Sequence, residues 1–160
     1  MKEIKITSKY KIFESRKELS GEDLMLLKKA EEARDKAYAP YSHFNVGASL
    51  LLENGKIILG NNQENAAYPS GMCAERVAIW TAASRFPDEK ILKIFIAASS
   101  STHKVDKPVS PCGACRQTIA EYEFKQDKNI EIFFTGETGI IVQAGSLNDL
   151  LPLAFDNTLL

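Results

Sequence analysis

No uninterrupted apolar run in this chain approaches the ~20 residues that a membrane-spanning helix needs. An excess of one charge is also missing. Twenty Lys and Arg stand against 21 Asp and Glu, for a net charge of −1 and a pI near 6.2. No overall field therefore favours phosphate backbones. The opening Met1-Lys2-Glu3-Ile4-Lys5-Ile6 is charged and lacks the apolar stretch of a secretory signal. Cysteine is scarce, at three residues in 160. An odd number without a secretion signal argues against a disulfide framework. Repeats, linkers and low-complexity tracts are absent as well. These absences leave the expectation of one cytosolic, soluble domain. Its composition is ordinary at 44% hydrophobic and 26% charged residues, and its length is enough to bury a core.

Residues 1–18 mix charged and apolar positions, Ile4, Ile6 and Ile12 among them, and read as an N-terminal extension with a possible edge strand. A single domain is expected over 19–160. Ser20 has the look of an N-cap with Asp23 three residues on, opening a helix whose stripe is Leu26, Ala30, Ala33 and Ala37. Pro40 stops it. Val46 to Leu52 and Lys56 to Leu59 read as strands joined across Asn54-Gly55, a strong hairpin signal. A helix apolar nearly all round follows Gly71-Met72, covering Ala74 to Ala83. It must be covered on more than one side, by the sheet and by another subunit.

Ile91 to Ala98 is a buried strand by its length and continuous apolar run. The polar stretch from Ser99 to Pro108 is a loop, and a helix opens at Pro111. Glu131 to Thr135 and Ile140 to Ala144 are the last strands, with a short helix over Ser146 to Leu151. The fold class is α/β: a three-layer sandwich whose mixed, mostly parallel sheet of about five strands is flanked by helices. Two strand-to-helix crossings underlie the parallel assignment. Ligands in such sheets gather just beyond the strand ends.

All three cysteines fall at predicted helix starts. Cys112 and Cys115, spaced i and i+3, share one face of a first turn, and Cys73 holds the same kind of position on its own helix. Backbone N–H groups and the helix dipole there favour thiolates. Three thiolates without a fourth protein ligand match a catalytic zinc site, which keeps one position open for water, whereas a structural site is closed. Buried free thiols or a redox CxxC are the blander readings; the latter leaves Cys73 and Glu75 without a role. Glu75, two residues after Cys73, reads as the proton carrier. The alternative for it is an exposed acid favoured by the helix dipole. Zinc with three thiolates carries −1, which weakens it as a Lewis acid. Arg76 and Arg116 follow ligands by three and four residues, so both reach sulfurs from the same helical face and withdraw charge.

With these residues assembled, the chain resembles the small, three-cysteine, homotetrameric cytidine deaminases. The resemblance runs from about Ser20 to Phe155. It is carried by Tyr38-Ala39-Pro40-Tyr41-Ser42, Phe44-Asn45-Val46-Gly47-Ala48, Asn62 to Tyr68, Cys73-Ala74-Glu75-Arg76, Ser110 to Gln117, and Leu150 to Phe155. It implies one zinc ion per subunit, hydrolytic deamination of cytidine and 2′-deoxycytidine in pyrimidine salvage, and a cytoplasmic homotetramer without nucleic-acid or membrane partners. The general chemistry of zinc deaminases, with a non-ligand Glu as acid and base, is common to the class.

By the same resemblance, Asn62 and Glu64 hydrogen-bond the ribose hydroxyls and Phe44 lies against the pyrimidine. The Ala74 N–H meets the base carbonyl, and Phe155 is offered to a neighbouring subunit's site. Gly71-Met72 and Val77 depart from the family's usual residues, which bears on substrate preference and interface packing. Two other readings remain: a deaminase of another aminopyrimidine nucleoside, such as a nucleoside antibiotic, and a non-catalytic zinc-binding module. Residues expected to meet ribose favour the nucleoside, and Glu75 argues against a purely structural zinc. An editor of single-stranded nucleic acid wants a basic channel, which the charge balance disfavours.

Overall fold

Ser20 does cap a helix. In the computed structural model, which describes residues 1–156, its Oγ accepts from the Asp23 N–H at 3.1 Å, and α1 runs Gly21–Arg34. Leu26, Leu27, Ala30 and Ala33 are its buried residues. Ala37, predicted on the same stripe, lies past the helix end. Asn54-Gly55 closes the expected hairpin between β2 (Phe44–Leu52) and β3 (Ile57–Asn61). Gly55 sits at φ +80°, a left-handed conformation that glycine adopts without steric penalty.

The remaining elements are α2 (Ala74–Arg85), β4 (Ile91–Ser100), α3 (Gly113–Gln126), β5 (Glu131–Thr135) and β6 (Ile141–Ala144). Strand β1 (Tyr10–Phe13) lies at the sheet edge, antiparallel to β6. Two predicted elements need correction. α3 begins at Gly113 rather than Pro111, because Cys112 holds the extended conformation of an N-cap (φ −67°, ψ 168°). The last helix shrinks to a 3₁₀ turn over Leu147–Asp149, capped by Ser146. Positions 157–160, the end of the expected domain, lie outside the described residues.

The sheet has six strands in the order β1-β6-β5-β4-β2-β3. It is mixed, but the expectation of a mostly parallel sheet is overturned. Only β4 and β5 pair parallel; the other four pairings are antiparallel. Both strand-to-helix crossings exist, yet the one through α2 returns its chain beyond β2, which is inserted between β3 and β4. β3 and β4 both run antiparallel to β2, so they point the same way without touching. The consequence is that α2 and α3 both start at one end of the sheet.

Strand alternation divides the core into two layers. Leu50, Leu52, Ile94, Ile96 and Ile132 face α2 and α3, where they meet Ala78, Ile79 and Ile119. Leu51, Phe95, Ala97 and Phe133 face α1, against Leu26, Leu27 and Ala30. Phe95 and Phe133 stack at 4.1 Å between ring centroids. Each such fully buried side chain stabilises the fold by roughly 1.5–3 kcal/mol. Three layers result, with one helix on one face and two on the other. No helix among the described residues is long and apolar enough to cross a membrane.

Two glycines set how closely the helices approach. A Cβ on Gly47 would stand 1.9 Å from the Ala30 carbonyl oxygen of α1, and one on Gly60 would stand 2.3 Å from the Ala74 oxygen and 2.6 Å from the Ala78 nitrogen of α2. Backbone atoms cannot swing aside as a side chain does. Gly60→Ala is therefore expected to destabilise the protein by about 3 kcal/mol, the upper end for overpacking, because the first turn of α2 must shift. Urea unfolding checks this: an unchanged midpoint would mean that α2 does not rest on β3 as described.

Candidate active site

Where α2 and α3 begin, their N-termini converge. Cys73 is the N-cap of α2, Cys112 is the N-cap of α3, and Cys115 lies in the first turn of α3. Neither N-cap side chain accepts from a backbone N–H of its own helix, so neither sulfur is used up in capping. All three sulfurs lie within 4.8 Å of one another, and Cys73 Sγ is 3.8 Å from Cys112 Sγ. Tetrahedral zinc with Zn–S bonds of ~2.3 Å holds its sulfurs about 3.8 Å apart, so the spacing fits the ion. Cys115 is buried, Cys73 is half-buried and Cys112 is exposed, which leaves one side of the triad open.

The electrostatics fit a cation as well. Hydrogen bonding from the Cys115 thiol, aided by Arg76 and Cys112, pulls the Cys73 thiol below its ordinary range despite its burial. Cys115 is driven the other way, by that same hydrogen bond, by burial, and by the charges of Glu75, Cys73 and Cys112. Three ionised sulfurs this close repel one another unless a positive ion sits among them.

Glu75 is only 4% exposed, in the first turn of α2 two residues beyond Cys73. Burial pushes its carboxyl above the ordinary range, and the neighbouring Cys73 thiolate adds to the shift. Its own backbone N–H, Cys115 and Arg76 oppose it. A buried carboxyl raised in this way is suited to carrying a proton near neutral pH.

The two arginines part company. Arg76 Nη2 donates to Cys73 Sγ at 3.4 Å, as its spacing predicts, while its buried Nε has no acceptor among the described residues. Arg116 instead donates to Pro111 O at 2.8 Å, Leu150 O at 2.8 Å and Ser110 Oγ at 3.1 Å. It braces the loop ahead of Cys112 against the C-terminal segment. The i+4 spacing placed it on the right face, but its partners are a carbonyl and a hydroxyl of the loop just before Cys112 and one carbonyl brought in by the later chain.

A cavity of about 440 Å³ opens beside the triad, with Phe44, Asn62, Glu64, Ala74, Glu75 and Cys112 in its wall. Ala74 is the first residue of α2, so its N–H has no acceptor within the helix. The Glu64 carboxylate accepts from the Tyr41 N–H at 2.9 Å, the Ser42 N–H at 3.2 Å and the Ser42 hydroxyl. The Ser42 hydroxyl foremost holds this carboxyl below its ordinary range. Asn62 Oδ1 accepts from the Val46 N–H at 2.8 Å, and its Nδ2 donates to Phe44 O at 2.9 Å. Each amide group keeps one further bonding position.

The Phe44 ring has His103 on one side, with centroids 6.4 Å apart and planes at 22°. Sequence reading singled out neither Ser42 nor His103 for a role of its own. Nothing in a polar loop marked His103 as an aromatic neighbour, and Ser42 stood only as one letter of a motif. Phe155 is exposed and is absent from this wall; its carbonyl accepts from Gln117 Nε2 at 2.9 Å.

Comparison with known proteins agrees with this geometry. The family model for the cytidine and deoxycytidylate deaminase zinc-binding region matches residues 20–128. A cytidine deaminase of Halalkalibacterium halodurans is 40% identical over 131 residues, 82% of this chain and 92% of that one. A second, from Sporosarcina psychrophila, is 40% identical over 130 residues, 81% of this chain and 88% of its own length. Among solved structures, the cytidine deaminase of Burkholderia pseudomallei superposes with a TM-score of 0.71 at 36% identity, over 86% of this chain and 100% of that one. That of Mycobacterium tuberculosis gives 0.63 at 30% identity, over 82% and 94%.

Proposed function

The chain belongs to the cytidine and deoxycytidylate deaminase family, and on that premise we propose that it hydrolyses cytidine and 2′-deoxycytidine to the uridine nucleosides and ammonia. The observation that carries the reading is the placement of buried Glu75 in the wall of a nucleoside-sized cavity that Cys73 and Cys112 of the thiol triad also line. Cys73, Cys112 and Cys115 hold zinc, whose Lewis acidity, when bound, makes water nucleophilic near neutral pH.

The protein's own residues do the rest. Glu75 takes one proton from the attacking water and delivers it to ring nitrogen N3. It then takes the second proton from the oxygen now on C4 and gives it to the departing amine. Both protons of the water are thereby used, one on N3 of uridine and one on ammonia. The raised affinity of the Glu75 carboxyl for protons suits it to both transfers. Arg76, donating to Cys73, draws charge from the sulfur and keeps the metal a stronger acid.

Phe44 lies against the base, the Ala74 N–H meets the base carbonyl, and Asn62 and Glu64 take the ribose hydroxyls. For the last two, the bonding positions left after their backbone contacts support the assignment. Residues 19–160 form the catalytic domain, with 1–18 an extension. The working unit is a cytoplasmic homotetramer with one zinc per subunit, in which Phe155 reaches a neighbour's site. The 44% exposure of Trp80 on α2 and the 55% exposure of Phe155 support an assembly that covers them.

The test is direct. Zinc-assayed protein mixed with cytidine should show the ultraviolet change of conversion to uridine, and likewise with deoxycytidine. Full zinc occupancy with no turnover of either nucleoside would overturn the reading.

A further inference from the structure

Between α1 and β2 the chain must reverse sharply to bring Phe44 to the cavity. His43 makes the turn at φ 55°, a left-handed conformation that costs a non-glycine residue about 1 kcal/mol or more. Its N–H donates to Ala39 O at 3.1 Å, and its carbonyl accepts from Ser100 Oγ and the Ser101 N–H, each at 3.1 Å. These bonds hold the turn itself. They do not connect it to the segment carrying Asn62 and Glu64.

The Tyr38 backbone bonds Asn62 O and the Glu64 N–H, and the Tyr41 N–H donates to the Glu64 carboxylate; Ser42 adds the side-chain link that also reaches Phe44. Its hydroxyl has one proton, and the ionised Glu64 carboxylate only accepts, so the proton goes to Glu64. The same oxygen must then accept from the Phe44 N–H, at 3.0 Å. On the other side of Phe44, its carbonyl accepts from Asn62. Both polar groups of the Phe44 backbone are thus tied to the 62–64 segment, one directly and one through Ser42. Ser42 also donates its own N–H to Glu64. The side chain is exposed and lines the cavity, so its contribution is made by hydrogen bonds and not by packing.

We infer that Ser42 is a positioning residue for nucleoside binding, fixing the Glu64 carboxylate and the Phe44 ring relative to each other through one hydroxyl. The inference rests on the deaminase reading for what is bound, and on the hydrogen bonds alone for the link. Removing the hydroxyl deprives Glu64 of a donor and leaves the Phe44 N–H without an acceptor. The losses fall on the group assigned to ribose and the group assigned to the base. Zinc and Glu75 are untouched by it.

The experiment compares Ser42→Ala and Ser42→Thr with the wild type, each with zinc assayed, on cytidine and on 2′,3′-dideoxycytidine, which lacks the hydroxyls Glu64 would meet. Ser42→Ala should raise KM for cytidine about tenfold, the scale of one hydrogen bond to a charged group. Its kcat should stay within about twofold, because the bond serves ground state and transition state alike. The penalty on dideoxycytidine should be only about threefold, since the ribose contact is already missing. Ser42→Thr keeps the hydroxyl and should restore the wild-type KM.

A substrate-free measurement accompanies these. Amide hydrogen exchange of ¹⁵N-labelled protein should show the Phe44 N–H exchanging faster in Ser42→Ala and not in Ser42→Thr. Unchanged KM, equal penalties on the two nucleosides, or unaltered Phe44 exchange would each overturn the assignment. Should the wild type leave cytidine unconverted, the deaminase reading fails on that result. The exchange rates still decide whether Ser42 links Glu64 to Phe44.

Discussion

Glu75→Gln is expected to lower kcat by at least ~10²-fold, the lower end for losing a general acid–base group, with zinc content unchanged. The amide is close to isosteric and stays hydrogen-bonding, so the cavity keeps its shape while losing its proton carrier. Glu75 is not among the clustered sulfur ligands, and its substitution leaves the triad intact. A second consequence follows from its burial. An ionised carboxyl held at 4% exposure costs stability, as the upward push of burial on its proton affinity shows. The variant should therefore melt no lower than the wild type, the usual pattern when a strained catalytic group is neutralised. Turnover near the wild-type rate with zinc retained would remove Glu75 from the mechanism. A fall in melting temperature would show instead that the carboxylate has a structural partner.

The next largest effect is expected from Cys112→Ala. Cys112 is an exposed N-cap whose side chain caps nothing and fills no core space, so deleting its sulfur should cost little by itself. Any large loss of stability must then come through the metal. Binding of an ion at ~1,000 times its Kd stabilises the folded state by about 4 kcal/mol. For a chain of this size that is roughly 10 °C in Tm. Zinc content should fall well below one per chain, and Tm should drop to that of chelator-treated wild type. The coincidence of those two melting points is the decisive comparison. Full metal occupancy in the variant would take Cys112 out of the ligand set. A Tm far below that of the chelated wild type would show that its thiol packs more than its exposure indicates.

Cys115→Ala would be a poorer test because Cys115 is wholly buried. Loss of that sulfur leaves a cavity as well as an empty ligand position, and the two costs cannot be separated.

Much of the centre was legible before any fold was known, because its chemistry is written in short spacings. Cys112 and Cys115 at i and i+3, and Glu75 two residues past Cys73, lie within single turns. Backbone geometry alone decides what such neighbours share. The helix cap at Ser20 and the Asn54-Gly55 hairpin were legible for the same reason. Arg76 reaches the Cys73 sulfur over three residues of one helix, a contact that its spacing alone makes possible. Arg116 has an equally good spacing, but three acceptors from Ser110, Pro111 and Leu150 compete for it, and one of them is 34 residues away.

Strand order was less legible. Apolar periodicity reports which face of a strand is buried but is blind to which strand lies beside it. Both helical crossings were recognised, and a parallel sheet was the natural inference from them. The hairpin placed β2 beside β3, and β4 then paired with the free side of β2, so one crossing produced no parallel neighbours. The edge pairing of β1 with β6 joins residues more than a hundred positions apart. No local pattern encodes it.

What the sequence by itself determined is the chemistry: three thiols and a carboxylate at helix starts, and the family to which that spacing belongs. Those features are set by bonds and turns between near neighbours in the chain, which exist before the fold does. The tertiary structure alone decided that β2 lies between β3 and β4, that Arg116 braces a loop rather than a sulfur, and that Ser42 joins Glu64 to Phe44. Each of these depends on groups distant in sequence competing for the same partner, and that competition is resolved only when the chain has packed.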